Sequence, residues 1–431
     1  MNGTIRLKDR DAVIQSLRAG VVPRIAQHLI QVGRKREIEA MLHDIERIVD
    51  GGSAVKFVIG EYGAGKTFFL NLTRSIAMEK GIVTANADLT PGKRLHATGG
   101  YAKSLYNELS RNISTRTKID GGALPAIIDR FVATARSEAQ GNGAALSSVV
   151  QQRLQPLTAL VHGFDFAEVI VAYAHADEIC DDTTKAAAIR WLRGEYAAKT
   201  DARKMLGVRT IVDDSTWYDV LKLLARFARL AGYKGLMICL DEMVNIYKLN
   251  NKQARSSNYE QILCIVNDML QGNAEGLGFV MCGTPDFQLD TRRGMFSYDA
   301  LRRRLGENAF AKQQGLADFS GPVMRLSCLS HEDFYVLLEK IRLVFAYGDE
   351  KNTLIPADAI ETFMQYSARQ LGNDYFRTPG TTITAFINLL SVLEQNPGTA
   401  WEPLLGNLKI EKDDGAIHDK MLDPDDDCVE V

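Results

Sequence analysis

The chain is 431 residues long, 46% apolar and 24% charged, with a formal net charge of −3. A chain of this size and balance buries a large core without disulfides or a structural metal, and its length suggests about three domains or subdomains. No apolar run approaches the ~18 residues that span a bilayer, and the charged opening MNGTIRLKDRDAVIQ lacks the apolar stretch of a secretion signal, so a cytoplasmic protein is expected.

Residues 1–36 carry eight bases against two acids, a front that suits either nucleic acid or a solvated helix face. Residues 11–50 read as helices. In the second of these, Ile38, Met41, Leu42 and Ile45 recur at i, i+3, i+4 and i+7. Asp50-Gly51-Gly52-Ser53 is a turn signal, and the apolar, partly β-branched run at 55–59 is a buried strand. Helical spacing resumes over 65–79, and 82–86 reads as a second strand. Residues 90–230 are mostly helical and rich in Ala and Leu, with no internal repeat; 217–231 is a strongly amphipathic helix. Buried strands follow at 236–240 and 277–282, with a fifth candidate at 323–326. Residues 331–395 return to helical spacing, with Thr378-Pro379 as N-cap and first helical residue of the stripe Ile383, Phe386, Ile387 and Leu390. Strands alternating with helices argue for an α/β fold with a parallel sheet, the last helices forming a separate lid. Residues 411–431 hold nine acids and two bases and read as a disordered, solubilising end.

The six cysteines form no CxxC, and Cys239 and Cys282 sit inside apolar runs as small buried hydrophobes. The seven histidines show no ligand spacing. The chain reads as a reduced protein whose metal, if any, comes with a nucleotide.

Gly60-Glu61-Tyr62-Gly63-Ala64-Gly65-Lys66-Thr67 fits GxxxxGK[ST], between an apolar strand and a helix. Glycines there let backbone N–H groups turn toward phosphate oxygens, and a helix N-terminus adds a favourable partial charge. Lys66 is expected on the β- and γ-phosphates and Thr67 on Mg²⁺. The run 236–240 ends in Asp241-Glu242, where Asp241 suits Mg²⁺ and Glu242 suits polarising the attacking water. The strand at 277–282 ends in Gly283-Thr284, and Thr284 sits where a polar sensor of the γ-phosphate is expected, or simply begins a turn. Five arginines follow at 292, 293, 302, 303 and 304. One of Arg302, Arg303 and Arg304 is expected to act as an arginine finger toward a neighbouring subunit's nucleotide; a solvated or DNA-facing basic helix is the other reading. Lys248, Lys252 and Arg255, in the loop after Asp241-Glu242, are candidate DNA contacts, a plain charged surface loop being the other reading.

The order of these elements resembles AAA+ and related additional-strand ATPases. Val32-Gly33-Arg34-Lys35-Arg36-Glu37-Ile38 looks like the VGRxxEI box of origin-recognition and STAND-type ATPases. Together with GEYGAGKT, Trp191-Leu192-Arg193-Gly194-Glu195, GYKGLMICLDE, YKLNNKQARSSNYEQIL and GTPDFQLDTRRGMFSYDALRRRL, it resembles the BrxD-like ATP-binding proteins of bacterial BREX phage-defence islands over about residues 21–310. That resemblance implies an AAA+-like P-loop ATPase with ATP and Mg²⁺ as cofactors, a homo-oligomer acting in phage defence with DNA and a helicase-like partner. It divides the chain into a basic helical segment (1–32), an ATPase core (33–330) with a helical insertion at about 90–230, a helical lid (331–400) and an acidic tail (401–431). Nucleotide contacts are expected from residues 60–67, Phe68, Gly33 and Arg34. Related ATPases carry a sensor arginine where this chain has Gly380, and Arg377 is the nearest substitute. Two rival readings stand: a STAND-like scaffold with little turnover, and a DNA loader in replication or repair.

Overall fold

Five strands form one sheet: β1 (Ala54–Gly60), β2 (Val83–Asp88), β3 (Leu236–Asp241), β4 (Leu277–Gly283) and β5 (Val323–Leu326), in the order β2-β3-β4-β1-β5. All five were legible as short apolar runs. The pairs β1–β4, β3–β4 and β2–β3 are parallel. Every residue of β1, β3 and β4 is buried, as a parallel sheet covered on both faces requires. The computed structural model describes residues 4–314, 316, 318–372 and 379–407.

The helices are α1 (Leu7–Arg18), α2 (Lys35–Val49), α3 (Lys66–Glu79), α4 (Tyr101–Arg111), α5 (Leu124–Asn142), α6 (Leu146–Thr158), α7 (Gly163–Glu178), α8 (Asp182–Leu192), α9 (Lys199–Leu206), α10 (Trp217–Leu230), α11 (Val244–Tyr247), α12 (Lys252–Gln271), α13 (Pro285–Leu289), α14 (Asp299–Arg304), α15 (Ala309–Gln313), α16 (His331–Phe345), α17 (Asp358–Leu371), α18 (Pro379–Gln395) and α19 (Trp401–Asn407). None of them is long and apolar enough to cross a membrane, among the described residues.

The chain divides into two compact units. The larger comprises residues 36–59 and 73–325. It holds nearly all of the sheet and the helices α4–α10, around a core that includes Phe57, Phe131, Phe166, Trp191, Trp217, Phe227 and Phe279. Lys56 lies inside buried β1 because its three donors are satisfied. Its amine is 3.1 Å from Asp44 Oδ2 and donates to the carbonyls of Phe319 (3.0 Å) and Gly321 (2.7 Å). Cys239 and Cys282 are buried, as expected, and burial pushes the Cys239 thiol up to about 12. The Trp191–Glu195 motif is a clasp between α8 and α4. Trp191 donates to the Thr210 carbonyl (2.8 Å), Tyr106 donates to the Leu192 carbonyl (2.6 Å), and Glu195 pairs with Arg111 (3.0 Å). Gly194, at φ +72°, leaves no room for a Cβ beside Asn107.

The smaller unit comprises residues up to 35, 60–72 and from 326 onward. Its core joins α1, α16, α17 and α18 through Val13, Ile14, Phe334, Ile341, Phe363 and Phe386. The basic front is partly spent inside this unit: Arg10 is buried, pairs with Glu394 and lies over the rings of Phe345 and Tyr347, and Arg18 donates to the Ser391 hydroxyl. The expected tail also needs correcting at its start. Trp401–Asn407 is helix α19, held because Trp401, Leu404 and Leu405 supply an apolar face that packs on this core. Residues 408–431 lie outside the described residues, as do Arg377 and Thr378.

Candidate functional site

The smaller unit carries the glycine-rich loop at the end of β1. At Gly60 a Cβ would lie 2.9 Å from the Leu326 carbonyl oxygen and 3.0 Å from the Ala64 Cβ, so the chain closes on itself there only as glycine. Gly63 and Gly65 have φ of +80° and +81°, in the left-handed region that glycine adopts freely. The loop then enters α3, whose first residues are Lys66 and Thr67. Lys66 donates to the carbonyls of Gly60 and Glu61, both at 2.9 Å, and its amine lies 5.3 Å from the centre of the Tyr62 ring. Thr67 is exposed in the first turn.

Gly33 and Arg34 are consecutive left-handed residues, with φ of +60° and +63°. A Cβ on Gly33 would come 3.3 Å from the Asp333 carboxylate, which caps the N-terminus of α16 together with Ser330. For Arg34 the conformation costs about 1–2 kcal/mol. Its guanidinium offsets that cost by donating to the Ala64 carbonyl (3.1 Å), to the Ser327 hydroxyl (3.4 Å) and to the Ser327 carbonyl. Arg34 therefore braces the glycine-rich loop from the side.

Beside the loop is a cavity of about 190 Å³. Gly63, Ala64 and Gly65 line it, with Phe68 from α3, Val22 and Val32 from the N-terminal segment, and Gly380 and Ile383 from α18. Its wall is predominantly apolar, with Arg34 the charged member. Of the expected nucleotide contacts, the loop residues 63–65, Phe68 and Arg34 thus meet at one place. Gly380, read as the position of a missing sensor side chain, lies in the cavity wall, where a Cβ would meet nothing within 4 Å. Sequence reasoning missed Val22 and Ile383 as cavity residues, because an apolar residue lining a pocket gives the same signal as one lining a core.

The larger unit carries the second group. Ile59 pairs with Gly283 and Leu240 with Met281, so β1, β4 and β3 end along one edge of the sheet, with β4 between the other two. Asp241, at the end of β3, is buried; its Oδ1 accepts the Glu242 N–H at 2.8 Å. Glu242 is exposed, with a left-handed φ of +55°. Thr284 is buried and its hydroxyl caps α13, accepting the Phe287 N–H at 3.4 Å. Asp88 is the register partner of Asp241 and was missed, although it too is a carboxylate ending an apolar strand. Among the described residues no three His, Cys, Asp or Glu side chains could hold a metal by themselves.

The three arginines of α14 differ. Arg302 pairs with Asp299 (2.7 Å), and Arg304 donates to Asn267 (2.6 Å) and to the Ala300 carbonyl (3.0 Å). Arg303 is exposed and makes no hydrogen bond or ion pair with any described residue. Arg255, expected as a DNA contact, is buried and donates to the carbonyls of Leu249 and Asn250. It holds the loop before α12, so it does not offer its charge to solvent.

A family model described as BREX system ATP-binding protein BrxC/D matches residues 5–409. The chain belongs to that family. No curated protein matches the chain. The BrxC/D match runs from the start of α1 past the end of α19, and so takes in the helical segment and the C-terminal helices as well as the glycine-rich loop. The BrxC/D family is one of ATP-binding proteins of a phage-defence system with several protein components, which agrees with the nucleotide reading of the loop.

Proposed function

We propose that this BrxC/D protein binds ATP at the cavity beside residues 60–67, hydrolyses it, and works in phage defence as an oligomeric AAA+-like switch whose output passes to DNA or a helicase-like partner. The observation that carries the reading is the pairing of an apolar cavity with a glycine-rich loop and a helix N-terminus at its side. The wall suits a purine base, and the loop's N–H groups suit phosphates. We read helices α16–α18 as an AAA+-like lid, a reading supported by the Pro379, Gly380 and Ile383 that α18 contributes to the cavity wall.

The donors proposed for Mg²⁺, the Thr67 hydroxyl and the Asp241 carboxylate, are oxygens, as that ion requires. Mg²⁺ is ordinarily held by one or two carboxylates plus the substrate's phosphates. When bound, it neutralises charge on the β- and γ-phosphates. Lys66 binds the same phosphates, Glu242 orients and deprotonates the attacking water, and Thr284 contacts the γ-phosphate.

Steady-state hydrolysis by the wild type and Glu242→Gln, with and without duplex DNA, tests this. The variant should bind ATP as the wild type does and lose turnover. Absence of turnover in the wild type under every condition would replace the enzyme with a nucleotide-gated scaffold.

A further inference from the structure

Glu242, like Arg34, is a site residue with a strained, left-handed backbone. Left-handed φ in a residue with a Cβ persists only where the surroundings over-determine it. Four hydrogen bonds of the larger unit do so. On the N-terminal side, Leu89 N–H donates to the Asp241 carbonyl (3.0 Å) and Glu242 N–H donates to Asp241 Oδ1 (2.8 Å). On the C-terminal side, Met243 N–H donates to the Cys282 carbonyl (3.1 Å) and Asn245 N–H donates to the carbonyl of Glu242 itself (3.0 Å).

Asn245 joins the two sides. Its side-chain amide donates to the Leu89 carbonyl at 2.7 Å, while its backbone holds residue 242. Leu89 is the residue that also holds Asp241, directly after the end of β2. The exit of β2, the end of β3 and the turn after it thereby form one closed ring of hydrogen bonds with Glu242 inside. Aspartate at 245 would lose the donor, and alanine would open the ring.

We infer that Asn245 is a positioning residue that holds Glu242 in its left-handed conformation through the Leu89 carbonyl, and so fixes the carboxylate for hydrolysis. This rests on the reading of Glu242 as the base, and two measurements keep the two ideas apart.

The first is ATP turnover by Asn245→Ala and Asn245→Asp. Misplacing a catalytic group by an ångström costs up to about 10²-fold in rate. Both variants should therefore lose kcat by at least about tenfold, with KM for ATP changed by less than about twofold. An Asn245 that merely staples α11 would lower the melting temperature and leave kcat intact. If Glu242→Gln is inactive while both Asn245 variants turn over normally, this inference fails and the proposed function stands. If Glu242→Gln is fully active, the role of Glu242 in the proposed function fails first.

The second measurement needs no turnover. Glycine tolerates the left-handed region and alanine does not, so Glu242→Gly should melt about 2 °C above Glu242→Ala. In the Asn245→Ala background residue 242 can relax, and that gap should close. An equal gap in both backgrounds overturns the proposal.

Discussion

The Arg34 guanidinium reaches the Ala64 carbonyl at 3.1 Å, so a residue of the VGR box holds the glycine-rich loop from 30 positions earlier in the chain. Residue 34 is left-handed where it does so, with φ +63°. Arg34→Ala keeps the strain and loses the bonds. Arg34→Gly loses both. Thermal melting should rank wild type above Arg34→Gly and Arg34→Gly above Arg34→Ala, with about 1 kcal/mol between the two variants. Lysine should not rescue, because one ammonium cannot reproduce the planar fork that serves both Ala64 and Ser327. Identical melting of the glycine and alanine variants would show that residue 34 is not held left-handed in solution.

Lys66 lies among the loop's own carbonyls, with the Tyr62 ring beside it. Lys66→Ala removes the cation proposed for the phosphates. Saturating ATP stabilises a binding protein by about 2.7 kcal/mol at 100 Kd. The wild type should therefore show an ATP-dependent rise in melting temperature, which the variant largely lacks. An equal rise in both would remove Lys66 from the phosphate site.

What the sequence made legible followed chemistry that is local in the chain. β1, β3 and β4 are continuous buried runs, and the loop at 60–67 is a fixed spacing of glycines. Much of the cavity wall was hidden because Val22, Val32 and Ile383 come from distant segments, and nothing in an apolar residue's identity tells pocket from core. Arg255 misled for a related reason. Its charge reads as surface, yet carbonyls of Leu249 and Asn250 satisfy it under cover. Asn245 belongs to no motif, and its importance lies in a carbonyl more than 150 residues away.

Gly380 tests the cavity directly. A Cβ there meets nothing within 4 Å, so a larger side chain fits at this position of the cavity wall without disturbing the fold. Gly380→Leu should melt within a few degrees of the wild type in the absence of nucleotide, since glycine near a helix start gains little by replacement. Its ATP affinity should fall by tenfold or more, roughly 1.4 kcal/mol, because the base loses its room. Isothermal titration with ATP measures this. Unchanged affinity would place the base elsewhere.

Arg303 is the residue of α14 on which assembly can be tested. Arg302 is occupied by Asp299, and Arg304 by Asn267 and the Ala300 carbonyl, whereas Arg303 engages no described residue. An arginine supplied to a neighbour's nucleotide is worth about 10³–10⁵ in rate where such fingers act. We expect Arg303→Ala to bind ATP normally and to lose turnover, with Arg302→Ala and Arg304→Ala affected less. The defect should lie only toward a neighbour's nucleotide. Mixing Arg303→Ala with Lys66→Ala subunits should then restore activity, since some interfaces pair an intact loop with an intact arginine. Wild-type activity should also rise faster than linearly with protein concentration near the assembly constant. If Arg303→Ala instead hydrolyses ATP normally and loses DNA affinity with a shallower salt dependence, α14 is a phosphodiester-contacting surface and the finger is abandoned.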